Sequence, residues 1–521
     1  MTDHDASETT RQEIPDIFDL CVIGCGPAGF AAAMRALDFG KHVCIVEGGE
    51  IGGAGVMWGA LASKTMWELA KDYAIAMKMD RGYRAAGMTV DYREVRRTVI
   101  QAVKEKQYQM RSQLETFAPD RWPGPGSITY KRGWGRFVSK NRVEIQGNNG
   151  NSETVEAKFF LIATGSTPRG FPHVKVDQKR IFNSDGILNL QSFPQRLLIV
   201  GAGIIGCEYA TIFSNFGQTR VYVVDHAERV IPYEDEDISD FVNDNLVKNG
   251  VRIIHSAKLR DIIPHREFLE VILDFKDGHS EVIEADAALI SIGRTFDLSH
   301  LGLENLGIDA SQRGILKTDE NCRLKDNVYA AGDITHHPAL VNIAEMEGRF
   351  AVKHMFDRVK WPLNYDNMST VMFFYPAVAA VGLNEKTCQR KKIPYRVAYY
   401  ANALVNRAIA MRASHGFVKI IISDDENERI LGMRAAGPQA SSTIMSIAHF
   451  MNQGSNIADV LKSIYPHPTI TEGILECCRM LKEKSVFKPH AFPQYLRIRR
   501  WRPDAGFVGE EDDAPAQITP R

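Results

Sequence analysis

Cysteine is scarce. The chain has eight in 521 residues, with no C-x-x-C pair and no Cys/His spacing of a zinc site, which excludes a secreted disulfide scaffold and a structural zinc module. No metal site is expected. An excess of charge of one sign is missing too. Lys and Arg number 63 against 64 Asp and Glu, a formal net charge of −1, so no general attraction to nucleic acid or anionic membrane is expected. No run approaches the ~20 apolar residues of a membrane span, and no integral membrane association is expected. The opening MTDHDASETTRQEIPD lacks the basic start and apolar core of a signal peptide. A cytoplasmic location is the expectation.

What is present is a soluble, globular composition, 44% hydrophobic and 24% charged, on a chain long enough for three domains. FDLCVIG (18–24) is an apolar, β-rich run. It leads into GCGPAG, then the small-residue helical pattern AAAMRALDFG, then a second strand, KHVCIVEGG, in which Glu47 closes the apolar run. The same grammar returns at RLLIV (196–200), GAGIIG (201–206), CEYATIFSNFG and VYVVD (221–225). Two copies of one βαβ unit predict two nucleotide-binding domains. Residues 57–118 alternate Lys, Glu and Arg in a helical pattern, and short strands follow at 134–163 and 251–292. From about 366 hairpin-like strands precede helices. The final segment is Pro-rich, with a basic RIRRW and an acidic GEEDD; it reads as a peripheral tail, ordered only if it docks.

A lone G-x-G-x-x-G is weak, but each copy here has a preceding strand, a following helix and an acid at the end of the next strand. The first glycine permits the tight turn, the second lets backbone approach a pyrophosphate, and the third lets helix and strand pack closely. These are Gly24, Gly26 and Gly29 with Glu47, and Gly201, Gly203 and Gly206 with Asp225. A carboxylate at 225 accepts hydrogen bonds from ribose hydroxyls and repels a 2′-phosphate, so NADH is expected over NADPH at the second turn.

The stretch GGAGVMWGALASK (52–64), followed in order by Ala163-Thr164-Gly165, the second glycine turn with Glu208, Gly332-Asp333 and HPTITE (467–472), resembles the FAD-dependent pyridine nucleotide–disulfide oxidoreductases. That family includes dihydrolipoamide dehydrogenase, glutathione reductase, mercuric reductase and soluble transhydrogenase, and the resemblance covers roughly 18–485. It implies an α/β chain of two doubly wound dinucleotide-binding domains plus a C-terminal α+β dimerisation domain. The boundaries expected are an N-terminal tail (1–17), an FAD-binding domain (18–185 and 295–365), an NAD-binding domain (186–294), a dimer-interface domain (366–488) and a C-terminal tail (489–521). It implies FAD held by Gly24, Gly26, Gly29, Glu47, Ala163, Thr164, Gly165, Gly332 and Asp333. NAD(H) would be held by Gly201, Gly203, Gly206, Asp225 and Gly293. Lys64 would lie beside the flavin ring and pair with Glu208. His467 and Glu472 would form a proton-handling pair that reaches the partner subunit's flavin, in a homodimer with shared active sites.

One departure governs the functional reading. The resemblance implies two cysteines, five positions apart, just before Ser63-Lys64; Gly55 and Ala60 stand there. Disulfide exchange requires a thiolate, so the usual thiol chemistry is excluded. Cys477 and Cys478 are adjacent on an expected helix and read as packing residues, as do Cys21 and Cys44; Cys25 reads as a small filler of the first turn. Small residues at 55 and 60 leave either a pocket beside the ring or a space filled by Met57 and Trp58. The expectation is an NADH-preferring, FAD-dependent NAD(P)H oxidoreductase that delivers electrons to a small non-disulfide acceptor, quinone-type or a second nicotinamide nucleotide. The retained His467–Glu472 favours an acceptor that needs a proton. The alternatives are a soluble NAD(P) transhydrogenase proper and, of another class, a non-catalytic flavoprotein subunit or redox sensor.

Overall fold

In the computed structural model, residues 16–508 are described except 81, 83–86, 310–313, 358, 360 and 361. The N-terminal tail and the acidic end of the C-terminal tail therefore fall largely outside the described residues. The chain divides into two compact units. The first holds residues up to 72, 79–193 and 289–363, and the second 73–78, 194–288 and 364 onward.

In the first unit the apolar run becomes the strand Ile17–Ile23, paired in parallel with His42–Glu47 on one side and Ser152–Ile162 on the other. Val328–Ala330 and Ser127–Arg132 extend the parallel sheet outward. Leu20, Cys21 and Val22 are fully buried, which is why this strand reads as a continuous apolar run and not an alternation. The crossover helix Pro27–Asp38 packs on the helix Val341–Phe356. A Cβ at Gly348 would lie 2.2 Å from the Ala28 carbonyl oxygen, so the crossing depends on small residues. The charged 57–118 region resolves into helices Leu61–Ala76 and Tyr92–Thr116, after a short helix Gly53–Met57. The longest starts at Asp91, whose side chain accepts the Arg93 N–H, and buries a stripe of Tyr92, Val95, Val99, Val103, Met110 and Leu114.

The second unit repeats the parallel grammar: strands Arg196–Val200, Arg220–Val224 and Arg252–Ile254, with helices Ile204–Phe216 and Glu236–Lys248 between them. It also contains a seven-stranded antiparallel sheet in the order Ser369–Met372, Val378–Gly382, Ile430–Ala436, Phe417–Ser423, Tyr395–Ala401, Leu496–Arg502, Gly506–Phe507. Helices Ala440–Asn452 and Glu472–Leu481 pack against it. This is the expected class: two doubly wound domains followed by an α+β domain.

The described part of the segment expected to be a peripheral tail does dock. Leu496–Arg502 pairs antiparallel with Tyr395–Ala401, Tyr395 opposite Trp501. Those two rings stack with centroids 5.7 Å apart. Asp424 accepts hydrogen bonds from Arg500 Nη2 at 2.7 Å and Arg502 Nε at 3.0 Å. The basic cluster reads as solvated in isolation because its acid lies more than seventy residues away in sequence.

Candidate functional site

The two glycine turns share their φ angles and backbone hydrogen bonds. Gly24 sits at φ +106° and donates its N–H to the Val46 carbonyl at 2.8 Å; Gly201 sits at φ +107° and donates to the Val224 carbonyl at 2.8 Å. Side-chain-bearing residues rarely adopt that conformation. Gly26 and Gly203 are the residues before the two helices, with φ −76° and −74°. A Cβ at Gly29 would fall 1.9 Å from the Gly24 carbonyl oxygen, whereas one at Gly203 would meet nothing within 4 Å and one at Gly26 only a Gly53 Cα at 4.0 Å. The third glycine of the first turn is thus demanded by packing, and the second glycines leave the room a pyrophosphate needs.

The acids brace the turns. Glu47 accepts the Cys25 N–H at 2.5 Å and the Gly49 N–H at 2.7 Å. Asp225 accepts the Ala202 N–H at 2.6 Å and the Ala227 N–H at 2.8 Å. Burial pushes the Glu47 carboxyl above its usual range, against the pull of its two backbone donors. A further parallel was not visible in the sequence. The middle residue of each turn accepts a backbone bond from the segment after the acid: Gly52 N–H to Cys25 O at 2.9 Å, and Ile231 N–H to Ala202 O at 2.9 Å.

Around the first turn the expected FAD residues come together. Ala163 N–H donates to Ile23 O at 2.8 Å, beside Gly24. Thr164 Oγ1 is buried without a hydrogen-bond partner, and Gly165, at φ +70°, has open space where a side chain would stand. A buried orphan hydroxyl next to an open glycine fits a polar ligand there. Gly332 N–H donates to the fully buried Glu347 at 2.7 Å. Asp333 accepts the Ser166 hydroxyl at 2.6 Å, and Arg294 donates to that hydroxyl from Nε at 2.6 Å and to the Ser166 carbonyl at 2.7 Å. Arg294 also lies 3.4 Å from Asp185. Sequence reasoning missed Ser166, Asp185, Arg294 and Glu347, because nothing in residue type or spacing distinguishes them from surface polar residues. Gly293, expected with the NAD set, lies in the first unit, where its carbonyl accepts the Arg169 N–H at 2.9 Å.

The 52–64 loop covers the first turn. Gly53 approaches Gly26, with a Cβ at 53 reaching 3.1 Å from the Gly26 Cα, and a Cβ at Gly55 would fall 2.7 Å from Pro27 Cγ and 3.3 Å from Val341 Cγ2. The nearest atoms to a side chain at position 55 belong to Pro27 and Val341. Met57 turns the other way, its sulfur accepting Gln107 Nε2 at 3.1 Å. With Trp58, Met66, Tyr92 and Arg96 it lines a cavity of about 210 Å³ beneath the loop. Lys64 Nζ donates to the Gly59 carbonyl at 3.1 Å and lies 3.4 Å from Ser63 Oγ.

In the second unit Glu208 is buried on the helix that begins after Gly203, beside Gly206, and accepts the Phe373 N–H at 3.0 Å. His467 Nδ1 lies 2.7 Å from Glu472 Oε1, and Glu472 Oε2 accepts the Thr469 N–H at 2.9 Å. The imidazole is 62% exposed, so Nδ1 is held by the acid while the ring reaches solvent. The carboxylate thus orients the imidazole from one side. Cys477 and Cys478 are both buried, the former donating to the Val418 carbonyl at 3.4 Å. Burial raises the Cys477 thiol well above its ordinary range and pushes Cys478 up to about 12. They are packing residues with no thiolate to offer. Cys25 is buried in the first turn, its thiol raised by the same cause. Cys21 and Cys44 are fully buried, as expected.

Against this geometry the comparisons with known proteins are specific. The model of the pyridine nucleotide–disulphide oxidoreductase family matches residues 18–348, and that of the same family's dimerisation domain matches 368–478. The chain belongs to the pyridine nucleotide–disulphide oxidoreductase family. It is an oxidoreductase of this FAD-dependent family, and its C-terminal domain is the family's dimerisation domain. The dihydrolipoyl dehydrogenase of Chlamydia muridarum is 30% identical over 481 residues, 91% of this chain and 99% of that protein. That of Bacillus subtilis is 30% identical, over 90% of this chain and 97% of that protein. Among solved structures, LpdA from Mycobacterium tuberculosis superposes with a TM-score of 0.80 at 25% identity, covering 89% of this chain and 99% of that one. Among the described residues of this family member, no helix is long and apolar enough to cross a membrane.

Proposed function

We propose that this family member is an NADH-preferring FAD oxidoreductase that passes electrons to a small non-disulfide acceptor, quinone-type or a second nicotinamide nucleotide. The observation that carries the reading is the pairing of two intact nucleotide turns with a loop that holds no thiol. Position 55 is glycine, where a Cβ would crowd Pro27 Cγ at 2.7 Å, position 60 is alanine, and all eight cysteines are buried.

Bound FAD supplies two-electron chemistry between a nicotinamide and an acceptor. The chain's own residues do the rest. Glu47 holds a ribose at the first turn, and the helix beginning at Val341 presents its N-terminal amides to negative charge. Thr164 and the open Gly165 line the ligand's path. Asp225 accepts ribose hydroxyls at the second turn and repels a 2′-phosphate. Lys64 adds a cation that stabilises developing negative charge. His467 hands a proton to the acceptor, and Glu472 keeps Nδ1 protonated so that Nε2 faces outward. A quinone taking two electrons also takes two protons, one from this relay and one from solvent.

The test is anaerobic addition of NADH to the yellow protein, followed by a panel of acceptors: thio-NAD, menadione, benzoquinone, lipoamide, ferricyanide and oxygen. Rapid bleaching of the flavin band, turnover with quinone or thio-NAD, and background rates with lipoamide are expected. A flavin that stays oxidised with NADH, or brisk lipoamide turnover, overturns the reading.

A further inference from the structure

The second turn is tied to a buried charge cluster that its own chemistry does not require. Lys419 lies in the antiparallel sheet with a side-chain exposure of 1%, and its ammonium meets Asp235 at 2.7 Å, Asp237 at 2.7 Å and Glu385 at 3.1 Å. Arg434 pairs with Glu234 at 2.9 Å. Glu385 is shared: its Oε1 also accepts Arg499 Nη2 at 2.9 Å, and its Oε2 accepts the Tyr395 hydroxyl at 3.1 Å. Four carboxylates, Glu234, Asp235, Asp237 and Glu385, thus face three cations, Lys419, Arg434 and Arg499. Six of the seven side chains are buried or nearly so. Arg499, on the docked C-terminal strand, is the exception at 29% exposure.

The acids of this cluster begin three residues after Ile231. Ile231 is buried, yet sits at φ +48°, a left-handed conformation that a β-branched residue avoids unless its surroundings impose it. Its N–H is the donor to the Ala202 carbonyl in the middle of the glycine turn. The next residues are pinned from the sheet side. Asn384 Nδ2 donates to the Tyr233 carbonyl at 2.9 Å, Lys386 Nζ to the Pro232 carbonyl at 3.0 Å, and the N–H groups of Glu385 and Lys386 both donate to Asp235, at 3.1 and 3.0 Å. Ion pairs therefore run from Arg499 through Glu385 and Lys419 to Asp235, which lies four residues along the backbone from Ile231, the donor to Ala202.

We propose that Lys419 and Arg499 are positioning residues for the second nucleotide turn: neutralising the 234–237 acids holds Ile231 in its left-handed conformation, and that in turn holds the Ala202 carbonyl and the turn's amides in the geometry that receives a dinucleotide. The C-terminal strand thereby sets nucleotide affinity. Removing the Arg499 charge leaves four carboxylates facing two cations in a buried space, where unpaired like charge is not tolerated. The cluster relaxes by moving the 231–237 segment, which reaches the turn through the Ile231 N–H. The inference rests on the reading of this turn as the NADH site, but its structural half does not.

The test uses full-length, FAD-loaded protein with Arg499→Met, Arg499→Lys and Lys419→Met. Arg499→Met is expected to weaken NADH about tenfold, within the range of couplings between packed sites, with the limiting rate of flavin reduction and the FAD content unchanged. Arg499→Lys restores affinity. In the absence of nucleotide, peptides covering 201–206 and 226–237 exchange amide hydrogen faster in Arg499→Met than in wild type. Lys419→Met gives the same pattern, more strongly; if it does not fold, Arg499→Met alone decides. Unchanged exchange in those peptides overturns the proposal whatever the nucleotide does. Faster exchange with unchanged NADH affinity also overturns it. Failure of NADH to reduce the wild-type flavin overturns the functional reading instead, and the exchange result then still decides whether the cluster holds the turn.

Discussion

The two glycine turns share their backbone geometry to within a degree at the first glycine, and they differ in what lies on top. Over the first turn sits the 52–57 segment, with Gly53 against Gly26 and Gly55 against Pro27. Over the second, the room beside Gly203 is open, and the segment returning from the acid is drawn away into an ion cluster centred on Lys419. On the proposed reading the more covered turn is the flavin's and the more open one is the nicotinamide nucleotide's. The same fourfold device of glycines, acid, helix and return bond recurs in both, and what is packed against it differs.

The sharpest way to break that comparison is to add one methyl group to each turn. Gly29→Ala places a carbon 1.9 Å from a backbone oxygen, which neither turn nor helix can yield, so the variant is expected to be colourless or insoluble. Gly203→Ala meets no atom, so that protein is expected to be yellow and folded but to lose at least about tenfold in kcat/KM for flavin reduction, as lost approach to a pyrophosphate implies. Absorbance at the flavin band and stopped-flow reduction distinguish the two; a yellow Gly29→Ala protein would mean the covered turn is not the flavin's.

The acceptor side separates from both turns. His467→Ala is expected to slow quinone turnover by ~10²-fold while leaving flavin reduction by NADH and turnover of ferricyanide, which needs no proton, unchanged. Equal loss with both acceptors would instead mean damaged subunit packing, and no loss with either would shift the reading to transhydrogenation at the nicotinamide side.

A smaller effect tests the acid of the open turn. Asp225→Ser is expected to narrow the preference for NADH over NADPH by roughly one or two powers of ten, about 1.4–2.8 kcal/mol of lost repulsion. A wild-type enzyme that prefers NADPH would refute the role given to Asp225.

The smallest effect concerns the strand that feeds the open turn's cluster. Hydrogen bonds from Arg500 and then Arg502 hold the Asp424 carboxyl below its usual range, against burial. A folded-state pKa below the unfolded one gives stability that is present above the unfolded value and lost as pH falls through the folded one. The C-terminal strand should therefore stay docked through neutral and mildly acidic pH and loosen only in stronger acid. Fluorescence of Trp501, stacked on Tyr395, should report that transition, and Asp424→Asn should abolish its pH dependence. A transition unaltered in the Asn variant would place the hold elsewhere.

By itself the sequence determined whatever is encoded within about thirty consecutive residues. The strand–glycine–helix–strand units and the acids Glu47 and Asp225 were legible, because turn chemistry and local periodicity act over short spans, whereas the His467–Glu472 pair was implied only by the family resemblance. The absence of thiols at 55 and 60 was legible only against that resemblance. Only the tertiary structure decided what meets across long separations. Pro27 and Val341 close the space at Gly55, and Ser166 and Arg294 gather at Asp333. Arg499 joins Glu385 across more than a hundred residues, and Lys419 joins Asp235 across nearly two hundred. Residue type marks these positions as ordinary prolines, arginines and lysines. Their roles arise from burial, which makes a charge costly without its partner and a methyl group impossible without its space, and burial is a property of the fold.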